Sequence, residues 1–273
     1  MDHFLSLIVP AYRQEKTIIS NLRQLLGVLQ TIRYPFEIIV VVDGAIDRTF
    51  QKLVRANIPN TVSIVYEKNQ GKASAIRVGM RIARGDYVMF MDSGMEIDPN
   101  GISMLLEHME WYEADVIVGS KRHPASLVDY TISRKVLSFG YYYIVKLLFG
   151  VNVRDTQAGI KIFKKKVLNK VLPRVVEKRF AGDLELLVVA KQQGFSRVFE
   201  APIKLNYHFS TLTSAATLSS ILGILIDTLS IFYRVYFSHY YSSAHRRNKY
   251  QNRQRLTIFS AKKRRKKKTL QKS

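Results

Sequence analysis

Four short stretches carry side chains able to handle anions and cations together. They are Pro10-Ala11-Tyr12-Arg13-Gln14-Glu15, Asp43-Gly44-Ala45-Ile46-Asp47-Arg48-Thr49, Asn69-Gln70-Gly71-Lys72 and Asp92-Ser93-Gly94-Met95-Glu96. A Gly-Lys pair opening a helix combines free backbone N–H groups with an ammonium, which suits an anion. Nearby carboxylates supply the hard oxygen ligands that a divalent cation takes, so the combination suggests a nucleotide with a cation between its phosphates. Each stretch also has a plain structural reading. Asp43, Asp47 and Asp92 suit helix N-caps, and Asn69–Lys72 suits an ordinary turn. What favours chemistry is a shared position, and that depends on the elements carrying them.

Those elements alternate. Phe4–Val9, Glu37–Val42, Ser63–Tyr66, Tyr87–Met91 and Asp115–Val118 are short β-branched runs that predict buried strands. Between them Lys16–Gln30, Thr49–Ala56, Lys72–Ala83 and Asn100–Trp111 place apolar residues at helical spacing. Strand–helix alternation implies an α/β fold with a parallel sheet and helices on both faces. In such sheets ligands bind outside the carboxyl ends of the strands, where the four stretches fall.

The chain has 273 residues, 43 Lys+Arg against 21 Asp+Glu, a formal charge of +22 and no cysteine. Lack of cysteine excludes disulfide scaffolds, thiol catalysis and Cys-ligated zinc. The charge invites a nucleic-acid reading, but it is uneven. Residues 245–273 hold 13 Lys+Arg and no acid, leaving 30 basic and 21 acidic side chains before them, a net of +9. The body lacks base-stacking motifs, so no nucleic-acid partner is expected. An acid at position 2 and a short apolar run before Pro10 do not suit a secretory signal, which places the body in the cytoplasm.

Taken in order, Leu7-Ile-Val-Pro-Ala-Tyr, Val41-Val-Asp-Gly-Ala-Ile-Asp-Arg-Thr, Asn69-Gln-Gly-Lys and Phe90-Met-Asp-Ser-Gly-Met-Glu resemble a family 2 glycosyltransferase of GT-A fold. Gly119-Ser-Lys-Arg-His, Val153-Arg-Asp-Thr-Gln-Ala-Gly-Ile-Lys-Ile-Phe and Phe180-Ala-Gly-Asp-Leu-Glu-Leu-Leu narrow the similarity to the polyprenyl-phosphate group. That group includes the dolichol-phosphate mannose and dolichol-phosphate glucose synthases, and the similarity spans residues 4–235. The resemblance implies inverting transfer of a hexose from a nucleotide-diphosphate sugar to a polyprenyl phosphate, with Mg²⁺ or Mn²⁺. It implies that Pro10, Ala11, Tyr12, Glu15, Asp43 and Lys72 hold the nucleotide sugar, with Asp92 and Ser93 beside the diphosphate and metal. It places Lys121, Arg134, Ser138 and Gln157 at the acceptor phosphate and Asp155 in the sugar and phosphate site. Arg134 and Ser138 share one helical face at i, i+4, and Asp92, Asp155 and Arg134 form the catalytic set.

The chemistry is consistent with these types. A phosphate monoester with a second pKa near ~6 is already an anion at neutral pH, so it attacks without a strong base. The protein must bring two repelling phosphates together and neutralise the leaving group. Several positions depart from the family pattern. Asp92-Ser93-Gly94 lacks the second acid of Asp-x-Asp, Arg13 and Gln14 replace the usual Asn and Glu, and Val42 replaces a frequent acid. Glu96 is then expected to share the cation with Asp92. His123 and His208 receive no role, and Asp183 and Glu185, at i, i+2, point to different sides of a helix.

The C-terminal third suggests a lipid surface. In 212–237, Thr217, Ser220, Asp227, Ser230 and Arg234 form a polar stripe opposite Leu218, Ile221, Leu222, Leu225, Leu229 and Phe232. A central acid disfavours a span, and the stripe suits a helix lying in the membrane interface. Tyr233, Tyr236, Phe237, Tyr240 and Tyr241 are of the type found at headgroup level. The expected organisation is a catalytic domain over 1–210, an amphipathic juxtamembrane region over 211–241 and a disordered polybasic tail over 242–273. Residues 212–273 would attach the protein peripherally to anionic lipid on the cytoplasmic face. The sequence carries no sign of an oligomeric state.

Overall fold

The computed structural model describes residues 3–128, 132–179, 181–206, 218–242 and 257–260. The β-branched runs form β1 (Leu5–Ala11), β2 (Phe36–Asp43), β3 (Thr61–Tyr66), β4 (Tyr87–Met91) and β5 (Val116–Ser120). Helices α1 (Ile18–Leu29), α2 (Thr49–Ala56), α3 (Lys72–Ile82) and α4 (Ile102–Trp111) alternate with them, and a 3₁₀ turn, Pro99–Gly101, leads into α4. After β5 come α5 (Ile132–Phe149), β6 (Ile160–Lys164), α6 (Lys165–Val171), α7 (Gly182–Gln192), β7 (Val198–Pro202), α8 (Leu218–Tyr236) and β8 (Thr257–Ser260).

The sheet runs in the order β7-β5-β6-β4-β1-β2-β3-β8. β1, β2, β3 and β4 are mutually parallel, β6 lies antiparallel between β4 and β5, and β7 is parallel to β5. Alternation along the strands divides two cores. Leu5, Leu7 and Val9 pack with α1, α2 and α4, whereas Ile8 packs with α3, α6 and α7 on the other face. Because β6 is antiparallel, its amino end meets the carboxyl end of β4, pairing Ile160 with Met91. The loop Asp155–Gly159 is therefore delivered to the same sheet edge as Tyr12, Asp43 and Asp92.

The C-terminal third adds an orientation for α8 and corrects the expectation of a wholly unstructured tail. Of the expected polar stripe of α8, Asp227 and Arg234 face the protein body: Asp227 Oδ2 is enclosed and Arg234 reaches Glu177 and Glu185. Leu222, Ile226, Leu229, Tyr233 and Phe237 face outward instead. Glu177 and Glu185 supply the anions that turn the stripe inward. Within the expected unstructured tail, Thr257–Ser260 pairs antiparallel with β3. A β-branched and aromatic run between basic blocks satisfies an otherwise open sheet edge. Thr217, His208 and the basic residues of 243–256 and 261–273 lie outside the described residues, as do the side chains of Leu218 and Ser220.

Candidate functional site

The Asn69–Lys72 turn is organised by Asp43 at the end of β2. Its carboxylate accepts the Tyr66 hydroxyl at 2.7 Å and the N–H groups of Gln70 and Gly71 at 2.7 and 2.9 Å. Asp43 is only 3% exposed. Its carboxylate is engaged by the turn, and these two N–H groups bond to it. Gly71 is required here twice over, by its φ of 94° and by the Lys178 carbonyl, which a Cβ would meet at 2.3 Å. Burial, with the Asp43 carboxylate beside it, raises the Tyr66 pKa and keeps that hydroxyl a donor.

Asp47 takes the structural role considered for it, accepting the Thr49 N–H at 3.0 Å at the start of α2. The Glu15 carboxylate accepts the Arg48 N–H at 3.1 Å and so ties the β1 loop to the β2 loop. Pro10 and Ala11 are buried, while Tyr12 is exposed with the Arg13 guanidinium 5.3 Å from its ring centre. Of this set, Tyr12 offers the accessible surface.

At the end of β4, Asp92 meets Lys72 from the first turn of α3. The ammonium lies 2.7 Å from Asp92 Oδ1 and hydrogen-bonds Oδ2 at 2.9 Å. The Lys72 side chain is 42% exposed; partial desolvation works against its charge, but Asp92, Asp183 and Glu96 outweigh it and raise its pKa. Oδ1 is enclosed and accepts no hydrogen bond; the ammonium touches it as an ion pair without hydrogen-bond geometry. Gly159 donates no side chain and its carbonyl accepts the Asp92 N–H at 3.1 Å. Asn21, which sequence reading passed over, donates to the Ser93 carbonyl at 2.8 Å from a buried position on α1.

These groups fit a divalent cation of limited protein ligation. Asp92 Oδ1 accepts no hydrogen bond and is held only by ion-pair contact with Lys72, and among the described residues no three His, Asp or Glu side chains converge as a cage. Mg²⁺ is commonly held by one or two carboxylates plus substrate phosphates and water. Asp92 is positioned to be the first carboxylate, and Glu96 lies close enough to Lys72 to act on its charge.

A second group lies at the end of β5. The Asp155 carboxylate accepts the Lys121 N–H at 3.1 Å, and Arg154 and Asp155 donate their own N–H groups to Glu200 on β7 at 2.8 and 3.2 Å. Arg122 donates to the Arg154 carbonyl at 2.6 Å and to both the hydroxyl and the carbonyl of Ser138 on α5. Sequence reading quoted Arg122 only within a motif; its signal was a second cation beside Lys121 at a strand end. Arg134 lies on α5 one turn before Ser138, and its side chain is outside the described residues. Gln157 reaches the Tyr141 hydroxyl at 3.5 Å, which in turn contacts the Thr228 hydroxyl of α8 at 3.0 Å.

Beneath both groups lies Lys161, fully buried on β6. It donates to the Ala158 carbonyl at 2.7 Å and pairs with Asp183 at 3.2 Å. Burial lowers its pKa, an effect opposed by Asp183. Glu185 turns away from the site, as the i, i+2 spacing implies, into a buried network with Tyr241 and Arg234.

The glycosyl transferase family 2 model matches residues 6–172. The chain belongs to this family. Two family relatives are dolichyl-phosphate beta-glucosyltransferases of Drosophila melanogaster, 30% identical over 68% of this chain, and Dictyostelium discoideum, 28% identical over 69%. The match covers 62% of each relative's length. The fold is also that of glucosyl-3-phosphoglycerate synthase from Mycobacterium tuberculosis, crystallised with Mn²⁺, UDP and glucosyl-3-phosphoglycerate. That likeness has a TM-score of 0.63 at 16% identity, over 84% of this chain and 80% of the other. The expected GT-A architecture, a mostly parallel sheet flanked by helices, is thus the observed one.

Proposed function

We propose that the protein transfers a hexose, with inversion, from a nucleotide-diphosphate sugar of the UDP-glucose or GDP-mannose type to a polyprenyl phosphate at the cytoplasmic face of a membrane. The observation that carries this reading is the division of the sheet edge into two charged groups. Asp92 and Lys72 lie at one, and Lys121, Arg122 and Ser138 at the other, with the Asp155–Gly159 loop between them. The relatives' names favour glucose as the sugar and a dolichyl-type phosphate as the acceptor.

In this reading an oxygen of the acceptor phosphate bonds to the anomeric carbon. The bond from that carbon to the diphosphate breaks, and its electron pair leaves on the nucleoside diphosphate. Lys121 and Arg122, with Arg134, draw the acceptor phosphate against its repulsion from the donor. Tyr12 bears on the base, Lys72 on the diphosphate, and Asp155 fixes the backbone at Lys121. Asp92 with Glu96 would hold Mg²⁺ or Mn²⁺, which would supply neutralisation of the leaving diphosphate.

The exposed apolar faces of α5 and α8, including Tyr143, Leu147, Ile226, Leu229 and Tyr233, support attachment to the lipid surface where the acceptor resides. Among the described residues no helix is long and apolar enough to cross a membrane.

The test is an assay of the purified full chain with Mn²⁺, polyprenyl phosphate and radiolabelled UDP-glucose or GDP-mannose. Label that extracts into organic solvent, strongest with UDP-glucose, is the expected result. Label appearing on a water-soluble sugar, or none from either donor, would overturn the reading.

A further inference from the structure

Lys72 sits where a cation is needed. Its ammonium is 2.7 Å from Asp92 Oδ1 and 2.9 Å from Oδ2, and Asp183 and Glu96 act on it through space. Asp92 is thereby paired with a cation in the absence of a metal ion. A divalent ion bound about 2.1 Å from Asp92 Oδ1 would stand beside that ammonium, and like charges so close repel strongly. Among the described residues no cage of three ligating side chains is present to overcome this repulsion.

We propose that Lys72 is the resident counter-ion of the cation site, keeping the free protein from holding a divalent ion and releasing Asp92 only when a nucleotide diphosphate arrives. The diphosphate contributes oxygens that complete the ion's shell, and it also offers the ammonium another anion. Metal and nucleotide then bind with positive coupling, and by linkage each raises the other's affinity by the same factor. The inference rests on the nucleotide-sugar reading of the site and adds what the lysine does before substrate comes.

Mn²⁺ binding to the full chain, followed by loss of the free-ion EPR signal with and without UDP or GDP, tests it. Lys72→Met keeps the length of the side chain and removes its charge. Its nucleotide-free affinity for Mn²⁺ should rise about tenfold or more, and the gain conferred by nucleotide should shrink by a similar factor. Lys72→Arg should bind as the wild type does, and Lys72→Gln replaces the Met variant should that one fail to fold. Nucleotide-free affinity in Lys72→Met that is equal to or weaker than wild type overturns the proposal. Adding Asp92→Asn to Lys72→Met must abolish the gained binding; if the gain persists, the ion lies elsewhere and the proposal falls. Failure of the nucleotide reading would register separately, as wild-type protein that binds neither UDP nor GDP with Mn²⁺ present. The nucleotide-free comparison still judges Lys72 in that case.

Discussion

At the residue scale, the position of Asp92 depends on a neighbour with no side chain. A Cβ at Gly159 would lie 2.4 Å from Asp92 Oδ2 and 2.9 Å from its carboxyl carbon. Gly159→Ala must therefore push the carboxylate away from Lys72 and from any cation. Displacement of a positioned group by about 1 Å can cost ~100-fold in rate, and a loss of that order in transfer is expected. Mn²⁺-dependent UDP binding should weaken with it, while the melting temperature, read by circular dichroism, should change little. Unaltered Mn²⁺-dependent binding in the variant would show that Asp92 is not placed by this contact. The sequence marked Asp92 at a strand end and Lys72 at a helix start, and the family resemblance marked Lys121 and Asp155. It also marked Asp43, but residue type and spacing did not reveal that its carboxylate closes the Asn69–Lys72 turn. Asn21 and Lys161 were not legible as site residues: one lies on a helix and the other within a strand, and only tertiary packing brings them to the loops they hold.

At the scale of elements, α7 and α8 are locked together beneath the site. Glu185 accepts the N–H groups of Val176 and Glu177 at 2.9 and 2.8 Å and the Tyr241 hydroxyl at 2.7 Å, with Arg234 3.5 Å away. Burial is the main cause that pushes its pKa up from 4.5 to about 7, against the Tyr241 and backbone hydrogen bonds and Arg234. Between those two values the folded chain keeps a proton that the unfolded chain has lost. The contribution of this group to stability is therefore fully present below pH 4.5 and is lost as pH rises through about 7. Glu185→Gln cannot titrate, and its amide can still accept the two N–H groups and donate to Tyr241. In urea unfolding, the variant should gain about 1–3 kcal/mol on wild type between pH 5 and pH 8; parallel pH profiles would rule the idea out. Of the elements themselves, the first five strands and four helices were legible because each repeats its period over several turns or residues. The antiparallel insertion of β6 was not, since one short strand carries no mark of its partner's direction. The inward turn of the α8 polar stripe was hidden for a related reason: its partners Glu177 and Glu185 are far away in sequence.

At the scale of the molecule, the excess charge and the exposed apolar surface occupy different parts of the chain. The described edge strand β8 runs antiparallel to β3, pairing Thr257 with Val65 and Ser260 with Val62. Ser260 therefore lies toward the amino end of β3, away from the strand ends that carry the site. Residues 261–273 hold eight Lys+Arg and no acid, while Ile226, Leu229 and Tyr233 of α8, and Phe237 just after it, are outward and uncharged. If the protein attaches to a lipid surface as proposed, two anchors of different physics are expected, one electrostatic and one hydrophobic, each made firm by the other. Cations near an anionic surface contribute about 1 kcal/mol each and are screened beyond a Debye length. Removing 261–273 should therefore weaken binding to phosphatidylserine-containing vesicles strongly at low salt and little at high salt. It should leave binding to pure phosphatidylcholine vesicles unchanged. Leu229→Glu should weaken both, with far less dependence on salt, because it alters burial of the α8 face. Cosedimentation across a salt series separates the two, and transfer to a detergent-solubilised acceptor should survive loss of the tail. A truncated protein that binds anionic vesicles at low salt as tightly as the full chain would remove the electrostatic anchor from this account.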